Sequence, residues 1–483
     1  MNINPHIFRN YDIRGIAGTD LDAEKVEVLG KAYGTLLQRR KIRQAVVGRD
    51  NRLSGEEYME ALIRGLVATG VDIIDLGMVM TQMVYFAQYR FQTNGGVMIT
   101  ASHNPWNYNG FKFATGYSRT TGIADVQEIR AVTETESFFK PDTNGSVTKL
   151  EGTSREAFIE DYIRDLLKRV RIKRKLRVVV DTGMGATGPF NPEILRRAGC
   201  EVIGQNLEVD GHFPIGTPDP TSTTVMERVR TRVLQEGADV GVAFDGDGDR
   251  VGTVDENGNI LWNDVLVAIF AKEILERFPG SKIVHNTLCS QLTSRVIEQN
   301  GGIAVMWRTG HAFIKAKIAE EQAAFGGELS GHFFFADNAY GHDDGTYAIL
   351  RLLEYLSDSE TSLSRLYKGF PAYISSPEIK LGCPDDKKMR VIKDIAAKFK
   401  QDFPDARITD DTVIPDDDGI RADFDDGMII FRASQNGPYI TVKFEAQDEP
   451  TYNQRKTYVR KMLKSYPDII WQDALTINVS SLD

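Results

Sequence analysis

Over the first three quarters of the chain, short apolar runs alternate with stretches whose apolar residues recur at helical spacing. This alternation constrains the fold more than any other feature. Gln44–Gly48 (QAVVG), Val71–Leu76 (VDIIDL) and Gly96–Thr100 (GVMIT) read as strands, and Tyr58–Thr69 between them reads as a helix. After a basic helix-like stretch over Phe158–Lys175, Arg177–Asp181 (RVVVD) restarts the pattern, which places a boundary near 150–160. A helix at Thr224–Gln235 and a strand at Ala238–Phe244 follow. From Asn259 come a helix at Val265–Phe278, strands at Lys282–His285 and Ile303–Trp307, and a helix at Ile314–Glu321. Such alternation calls for largely parallel sheets with helices on both faces.

The pattern breaks at Gly369–Lys380, a stretch with two prolines that reads as a linker. Beyond it the expectation is α+β: a helix at Lys388–Gln401, an antiparallel pair Met428–Arg432 and Tyr439–Phe444, and a short basic helix at Asn453–Ser465. A chain of 483 residues exceeds what one hydrophobic core supports, so three or four domains are expected. The net charge of −10 argues against a general nucleic-acid binder, which needs a basic surface. Cys200, Cys289 and Cys383 are odd in number and lack metal-ligand spacing, as for reduced, mostly buried thiols in a cytoplasmic protein. The opening MNINPHIFRNYDIRG has no apolar core, so no signal peptide is expected. No run approaches the roughly 18 apolar residues of a membrane span.

Four loops carry chemistry. Thr100–Phe113 (TASHNPWNYNGFKF) leaves an apolar strand and is dense in turn formers. A phosphorylated serine there would need donors, and His103, Asn104, Asn109 and Lys112 supply them. A lone serine in such a loop is more often a backbone cap. Ala238–Arg250 (ADVGVAFDGDGDR) follows an apolar strand with Asp245, Asp247 and Asp249 at alternate positions. Alternate spacing in an extended segment turns all three to one side, where they repel unless a cation sits among them. Oxygen ligands alone suit Mg²⁺ or Ca²⁺. An EF-hand is disfavoured, because Arg250 stands at the required glycine and a strand precedes the loop.

In Gly327–His332 (GELSGH), Glu328 and Ser330 can point the same way toward adjacent hydroxyls, and His332 suits proton transfer near neutrality. Arg432–Pro438 (RASQNGP) carries the Asn-Gly signal of a hairpin, whose tip can also bind phosphate.

Taken together, TASHNP…NGFK, DGDGDR and GELSGH resemble the alpha-D-phosphohexomutase family, phosphomannomutase/phosphoglucomutase branch, in family order from Tyr11 to about Ala446. The resemblance implies an α/β fold of four domains: three related α/β domains with mixed sheets plus a C-terminal α+β domain around a central cleft. The boundaries are then 1–152 (phosphoserine loop), 153–258 (metal loop), 259–370 (sugar-binding loop) and 371–483 (phosphate-binding loop). It implies phosphoserine at Ser102, which joins Asp245, Asp247 and Asp249 on Mg²⁺. Arg14 would stabilise the transferring phosphoryl, with Lys112 and His332 as acid or base. Tyr11, His103, Arg250, Thr309, Gly310, His311, Glu328, Ser330, Arg432, Ser434, Gln435 and Asn436 would contact substrate.

The implied reaction is a reversible phosphoryl shift between C1 and C6 of mannose or glucose phosphate through a hexose 1,6-bisphosphate. The enzyme would be a cytoplasmic monomer or small homo-oligomer without nucleic-acid or membrane partners. Rivals are a phosphoglucosamine mutase, a phosphatase and a non-catalytic phosphosugar binder. The sequence departs from the family pattern at Asn286–Gln291 (NTLCSQ), Gln435–Asn436, Gln82 and Met184, the last two expected in structural turns. Arg49 and Arg52 in GRDNRLSG are open to either a structural or a functional reading.

Overall fold

The computed structural model describes residues 3–359 and 361–483. The chain divides into two compact units. One comprises the chain up to Asp219 with Ala238–Val251 and the segment beginning at Asn338. The other comprises Pro220–Gly237, Gly252–Asp337 and Thr361–Asp483.

In the first unit the elements run β1 (Ile13–Ile16), α1 (Ala23–Arg39), β2 (Gln44–Arg49), α2 (Gly55–Val67), β3 (Asp72–Met78), α3 (Thr81–Arg90), β4 (Gly95–Ile99), β5 (Tyr108–Gly116), β6 (Arg119–Thr120), α4 (Ile123–Thr135), β7 (Val147–Lys149), α5 (Gly152–Leu167), β8 (Arg177–Asp181), α6 (Asn191–Arg197), β9 (Glu201–Gln205) and β10 (Val240–Phe244). A seven-stranded sheet has the order β1-β5-β4-β2-β3-β7, with β6 on β5. Its centre is parallel (β2 with β3 and β4), whereas β5 runs antiparallel to β4 and β1, so the sheet is mixed. A parallel array joins β10 to β8 and β8 to β9.

Period-two alternation explains how β1 and β5 serve the site. On β5, Phe111 and Phe113 enter the core while Lys112 between them faces the other way. On β1, Ile13 joins the same core and Arg14 takes the opposite face. Burying each phenylalanine contributes about 1.5–3 kcal/mol. That anchorage holds the charged residues between them in place. The expectation of an irregular loop through Phe113 is therefore corrected: the loop gives way at Tyr108 to β5, because the alternating NGFKF forms a strand between β1 and β4.

In the second unit β11 (Val251–Asp255) pairs antiparallel with β12 (Ile260–Leu261). Strands β13 (Lys282–Asn286), β14 (Ile303–Trp307), β15 (Phe325–Gly327) and β16 (Phe333–Phe335) form a sheet ordered β14-β13-β15-β16. It is parallel except for β15–β16. A six-stranded antiparallel sheet follows, built from β17 (Ile374–Ser375), β18 (Ile379–Gly382), β19 (Arg407–Thr409), β20 (Gly419–Phe424), β21 (Gly427–Ala433) and β22 (Tyr439–Ala446). The helices Asp385–Asp402 and Glu449–Lys464 pack on it. The expected linker Gly369–Lys380 is corrected here too, because Ile379–Gly382 is a buried strand paired with β22. Its two prolines precede this strand and leave the paired residues free to donate.

All three cysteines are free and buried, as expected, and burial pushes the Cys200 thiol up to about 12. Among the described residues no helix is long and apolar enough to cross a membrane.

Candidate active site

The first unit brings together Ser102, Arg14, Lys112, the three aspartates, His103 and Arg250. Ser102 lies in the turn between β4 and β5 with a φ of +50°, a left-handed conformation unusual for a side-chain-bearing residue. Its hydroxyl donates to Asp245 Oδ2 at 2.7 Å and lies 3.1 Å from His103 Nδ1. Arg14 donates to the Ala101 carbonyl (3.2 Å) and Asn104 Oδ1 (3.1 Å), and it pairs with Asp12 at 2.8 Å. Burial opposes the Arg14 charge, and Asp12 more than offsets that. Tyr11 is buried, and its carbonyl accepts from Thr121. Asn109, expected among the donors, instead gives its amide to Ser54 Oγ.

The aspartate loop follows β10, whose five residues are all buried. Each aspartate offers a carboxylate oxygen, and these lie within 4.8 Å of one another. Two glycines make the loop possible. A Cβ on Gly246 would stand 2.7 Å from the Ser102 carbonyl oxygen, so only glycine lets the aspartate and serine loops touch. Gly248 has a φ of +81°, and a Cβ there would meet Thr187 at 2.5 Å. Lys112 Nζ reaches Asp247 Oδ2 (2.7 Å) and Asp249 Oδ2 (2.5 Å). Thr81 clamps Asp247 twice: its hydroxyl donates to Oδ2 (2.6 Å) and its backbone N–H to the carbonyl (3.0 Å). Arg250 Nε stands 3.9 Å from Asp245, and its Nη1 stands 3.5 Å from His103 Nε2.

The electrostatics of this cluster call for a cation. Burial, with Asp247 and Asp249 adding to it, holds the Asp245 carboxyl well above the ordinary carboxylate range. At Asp247 burial is outweighed by Lys112, which keeps that carboxylate low. Burial also disfavours the Lys112 charge, yet the two aspartates hold its ammonium well above the usual range. Asp247 Oδ1 is buried without a hydrogen-bond partner among the described residues. A buried, converging, oxygen-only donor set with an unsatisfied lone pair fits a hard divalent ion.

Gln82, expected in a turn, instead sits in the first turn of α3. Its amide donates to the Gly248 carbonyl (3.0 Å) and Thr346 Oγ1 (3.1 Å), which steadies the aspartate loop. Met184 is in a turn as expected, with φ +61°.

In the second unit the GELSGH loop joins β15 to β16. Glu328 is buried, and its Oε1 accepts from the Gly310 N–H (2.8 Å) and Asn286 Nδ2 (3.5 Å). Asn286 also donates to Thr309 Oγ1 (3.1 Å) and accepts from the Leu329 N–H (3.2 Å). The first residue of NTLCSQ is thus the pin between the Arg308–His311 and GELSGH loops. The segment itself is gripped from the last sheet: Arg421 donates to the Thr287 (2.6 Å) and Cys289 (2.5 Å) carbonyls, and the Gln291 N–H donates to Glu445 (2.9 Å). His311 opens the helix His311–Glu321, and its ring stacks on His332 with centroids 5.5 Å apart. Ser330 is half-buried.

The RASQNGP loop connects β21 to β22, but not as a tight Asn-Gly turn. Neither Asn436 nor Gly437 has a positive φ, and the Ser434 N–H donates to the Tyr439 carbonyl (2.9 Å), closing a wider loop. Lys388 explains the departure, donating to the carbonyls of Ser434 (2.6 Å) and Gly437 (2.9 Å). Ser434 Oγ accepts from the Asn436 N–H (3.1 Å), and Gln435 is buried. Arg432 forms a two-pronged pair with Asp418 at 3.0 and 2.8 Å, and Arg308 reaches Asp416 at 3.3 Å. Asp418 and Lys388 escaped the sequence reading. The acid run Asp416–Asp418 was a signal, but only the register that sets Gly419 opposite Arg432 brings it to that arginine.

Comparison with known proteins agrees with this geometry. Residues 5–140, 160–258 and 262–373 match the family descriptions "Phosphoglucomutase/phosphomannomutase, alpha/beta/alpha domain" I, II and III respectively. The chain is 39% identical to a phosphomannomutase/phosphoglucomutase of Pseudomonas putida, over 96% of each protein. It is 36% identical to a phosphoglucomutase of Neisseria gonorrhoeae, over 97% of this chain and 99% of that one. A solved phosphoglucomutase/phosphomannomutase family protein from Burkholderia thailandensis superposes with a TM-score of 0.84 at 33% identity, covering 96% of this chain and 98% of that one. The chain belongs to the phosphoglucomutase/phosphomannomutase family, the alpha-D-phosphohexomutases. It is an isomerase, with three α/β/α domains and a fourth, β-rich one.

Proposed function

We propose that the chain moves a phosphoryl group reversibly between C1 and C6 of mannose or glucose phosphate, through phosphorylated Ser102 and a bound hexose 1,6-bisphosphate. The observation that carries this reading is the Ser102 hydroxyl 2.7 Å from Asp245, inside a buried trio of carboxylates. The domains are assigned as 1–152, 153–258, 259–370 and 371–483. We assign the enzyme to the cytoplasm, as a monomer or small homo-oligomer; buried free thiols fit a reducing compartment.

A free sugar hydroxyl attacks the phosphorus; its bond to that oxygen forms as the bond to Ser102 Oγ breaks. Lys112, held as an ammonium, is assigned the proton that the departing serine oxygen takes up. His332 is assigned the proton of the attacking hydroxyl. The bisphosphate then turns over and returns its other phosphoryl to Ser102 by the same steps reversed.

Asp245, Asp247 and Asp249 would hold Mg²⁺, which supplies positive charge to the phosphoryl oxygens. Arg14 and Arg250 would add to that charge. Thr309, Gly310, His311, Glu328 and Ser330 would orient the sugar. Arg432, Ser434, Gln435 and Asn436 would take the phosphate that is not reacting, with Tyr11 and His103 lining the serine side.

The test supplies glucose 1-phosphate or mannose 1-phosphate with Mg²⁺ and a trace of the matching 1,6-bisphosphate. The 6-phosphate is the expected product. Free inorganic phosphate would identify a phosphatase, and no change a binder.

A further inference from the structure

Arg52 is among the largest fully buried side chains in the protein, and burying a guanidinium is costly unless every donor is used. Here all four Nη hydrogens are used. Nη1 donates to the carbonyls of Pro105 (2.6 Å) and Tyr108 (2.9 Å). Nη2 donates to those of Ser102 (2.9 Å) and Asn104 (2.7 Å). Nε faces Asp50 Oδ2 at 3.3 Å, and the guanidinium lies over the Phe213 ring at 5.4 Å. With all four Nη hydrogens so engaged and Nε buried against Asp50, Arg52 has no Nη left for a phosphate.

Four of its contacts are backbone carbonyls of one loop, the loop that presents Ser102. The fifth opens a second route to the same residue. Asp50 Oδ2 accepts from the Thr100 hydroxyl (2.7 Å), and Thr100 Oγ1 accepts from the Ser102 N–H (2.7 Å). Ser102 is therefore held at its carbonyl by Arg52 and at its N–H through Thr100 and Asp50. Those two groups flank the positive φ that aims its hydroxyl at Asp245. The Ser102 carbonyl is also the atom against which Gly246 packs, so one oxygen sets the serine loop against the aspartate loop.

We infer that Arg52, with Asp50 and Thr100, is a positioning residue for the phosphoryl-carrying serine: it fixes where Ser102 Oγ stands and binds neither sugar nor phosphate. This rests on the phosphoserine reading above. A displacement of about 1 Å at a reacting atom is enough to slow the reaction about 100-fold.

The experiment follows Arg52→Lys and Arg52→Gly in the full-length enzyme. It measures kcat, KM for hexose 1-phosphate, Mg²⁺ affinity, and the rate at which glucose 1,6-bisphosphate adds one phosphoryl mass to the protein. The expected result is a roughly 100-fold fall in kcat and in the phosphorylation rate, with KM and Mg²⁺ affinity within about threefold. Guanidinium chloride below its denaturing range is expected to restore Arg52→Gly at least about tenfold by refilling the cavity. Unchanged phosphorylation in a folded Arg52→Lys, or kcat and KM falling together without rescue, overturns the inference. If the Arg52 variants do not fold, Thr100→Val against Thr100→Ser decides. Loss with valine and retention with serine supports it, and equal rates overturn it. If the wild type itself takes up no phosphoryl, the phosphoserine reading fails first.

Discussion

The serine–aspartate cluster and the loops of the second unit are built differently. Around Ser102 nearly every polar side chain is buried and tied at two or more points: Asp247 by Lys112 and Thr81, Arg14 by Asp12 and the loop backbone. In the second unit the ties run from loop to neighbouring segment: Asn286 joins the GELSGH and Arg308–His311 loops, Asp418 pairs with Arg432, and Lys388 holds the RASQNGP loop. Multiple ties suit a region that must place reacting atoms closely. Ties between neighbouring loops suit groups that orient a bound ligand rather than the reacting atoms. The contrast predicts that changes in the first region fall on kcat and that changes at the loop ties of the second, His332 aside, fall on KM.

The largest effect belongs to Ser102→Ala, expected to lower mutase kcat by about 10⁴-fold or more, since the proposed relay has no other phosphoryl carrier. Coupled-assay turnover at saturating substrate checks this, and substantial remaining turnover would remove Ser102 from the relay. Asp247→Asn comes next. Losing one charge of the trio is expected to lower activity by about 10²–10³-fold and to shift the Mg²⁺ titration to higher concentration. Chelation of the wild type should abolish turnover, and added Mg²⁺ should restore it.

In the second region Asp418→Ala frees Arg432 from its two-pronged partner. A rise in KM of about tenfold with kcat within threefold is expected, the equivalent of one lost charged hydrogen bond. If kcat falls instead, the division between the two regions breaks.

The last prediction concerns stability. Burial, aided by Arg421, holds the His285 imidazole down at about 4 against an ordinary 6.5. The unfolded chain therefore binds the proton first as pH falls. The stability from keeping His285 neutral is complete above about pH 6.5 and is lost as pH drops toward 4, at most about 3 kcal/mol. Urea melts between pH 7 and 4.5 should show this slope in the wild type and a shallower one in His285→Gln.

How much was legible in advance differs along the same lines. The strand–helix alternation, the strand leading into DGDGDR and the β21–β22 pair were all readable, because each is written in local periodicity. So was the acidic character of the aspartate loop, although its carboxylates converge through a turn with Gly248 at φ +81° and not along an extended segment. Lys112 read as a loop donor, and by resemblance as an acid or base, but β5 showed it to be a strand residue held between Phe111 and Phe113. The hairpin signalled by Asn-Gly is present, but its wider tip, held by Lys388 at the carbonyls of Ser434 and Gly437, was not readable because Lys388 is distant in sequence.

By itself, then, the sequence determined the alternating architecture, the family, and which residues carry the charge and hydroxyl chemistry. Only the tertiary structure decided which buried partners hold them: Arg52 on the serine loop, Thr81 on Asp247, Asn286 between the Arg308–His311 and GELSGH loops, Asp418 on Arg432. The reason is range. Periodicity and turn chemistry act over a few residues, whereas a buried hydrogen bond is satisfied by whichever partner the fold brings within about 3 Å, however far away in sequence.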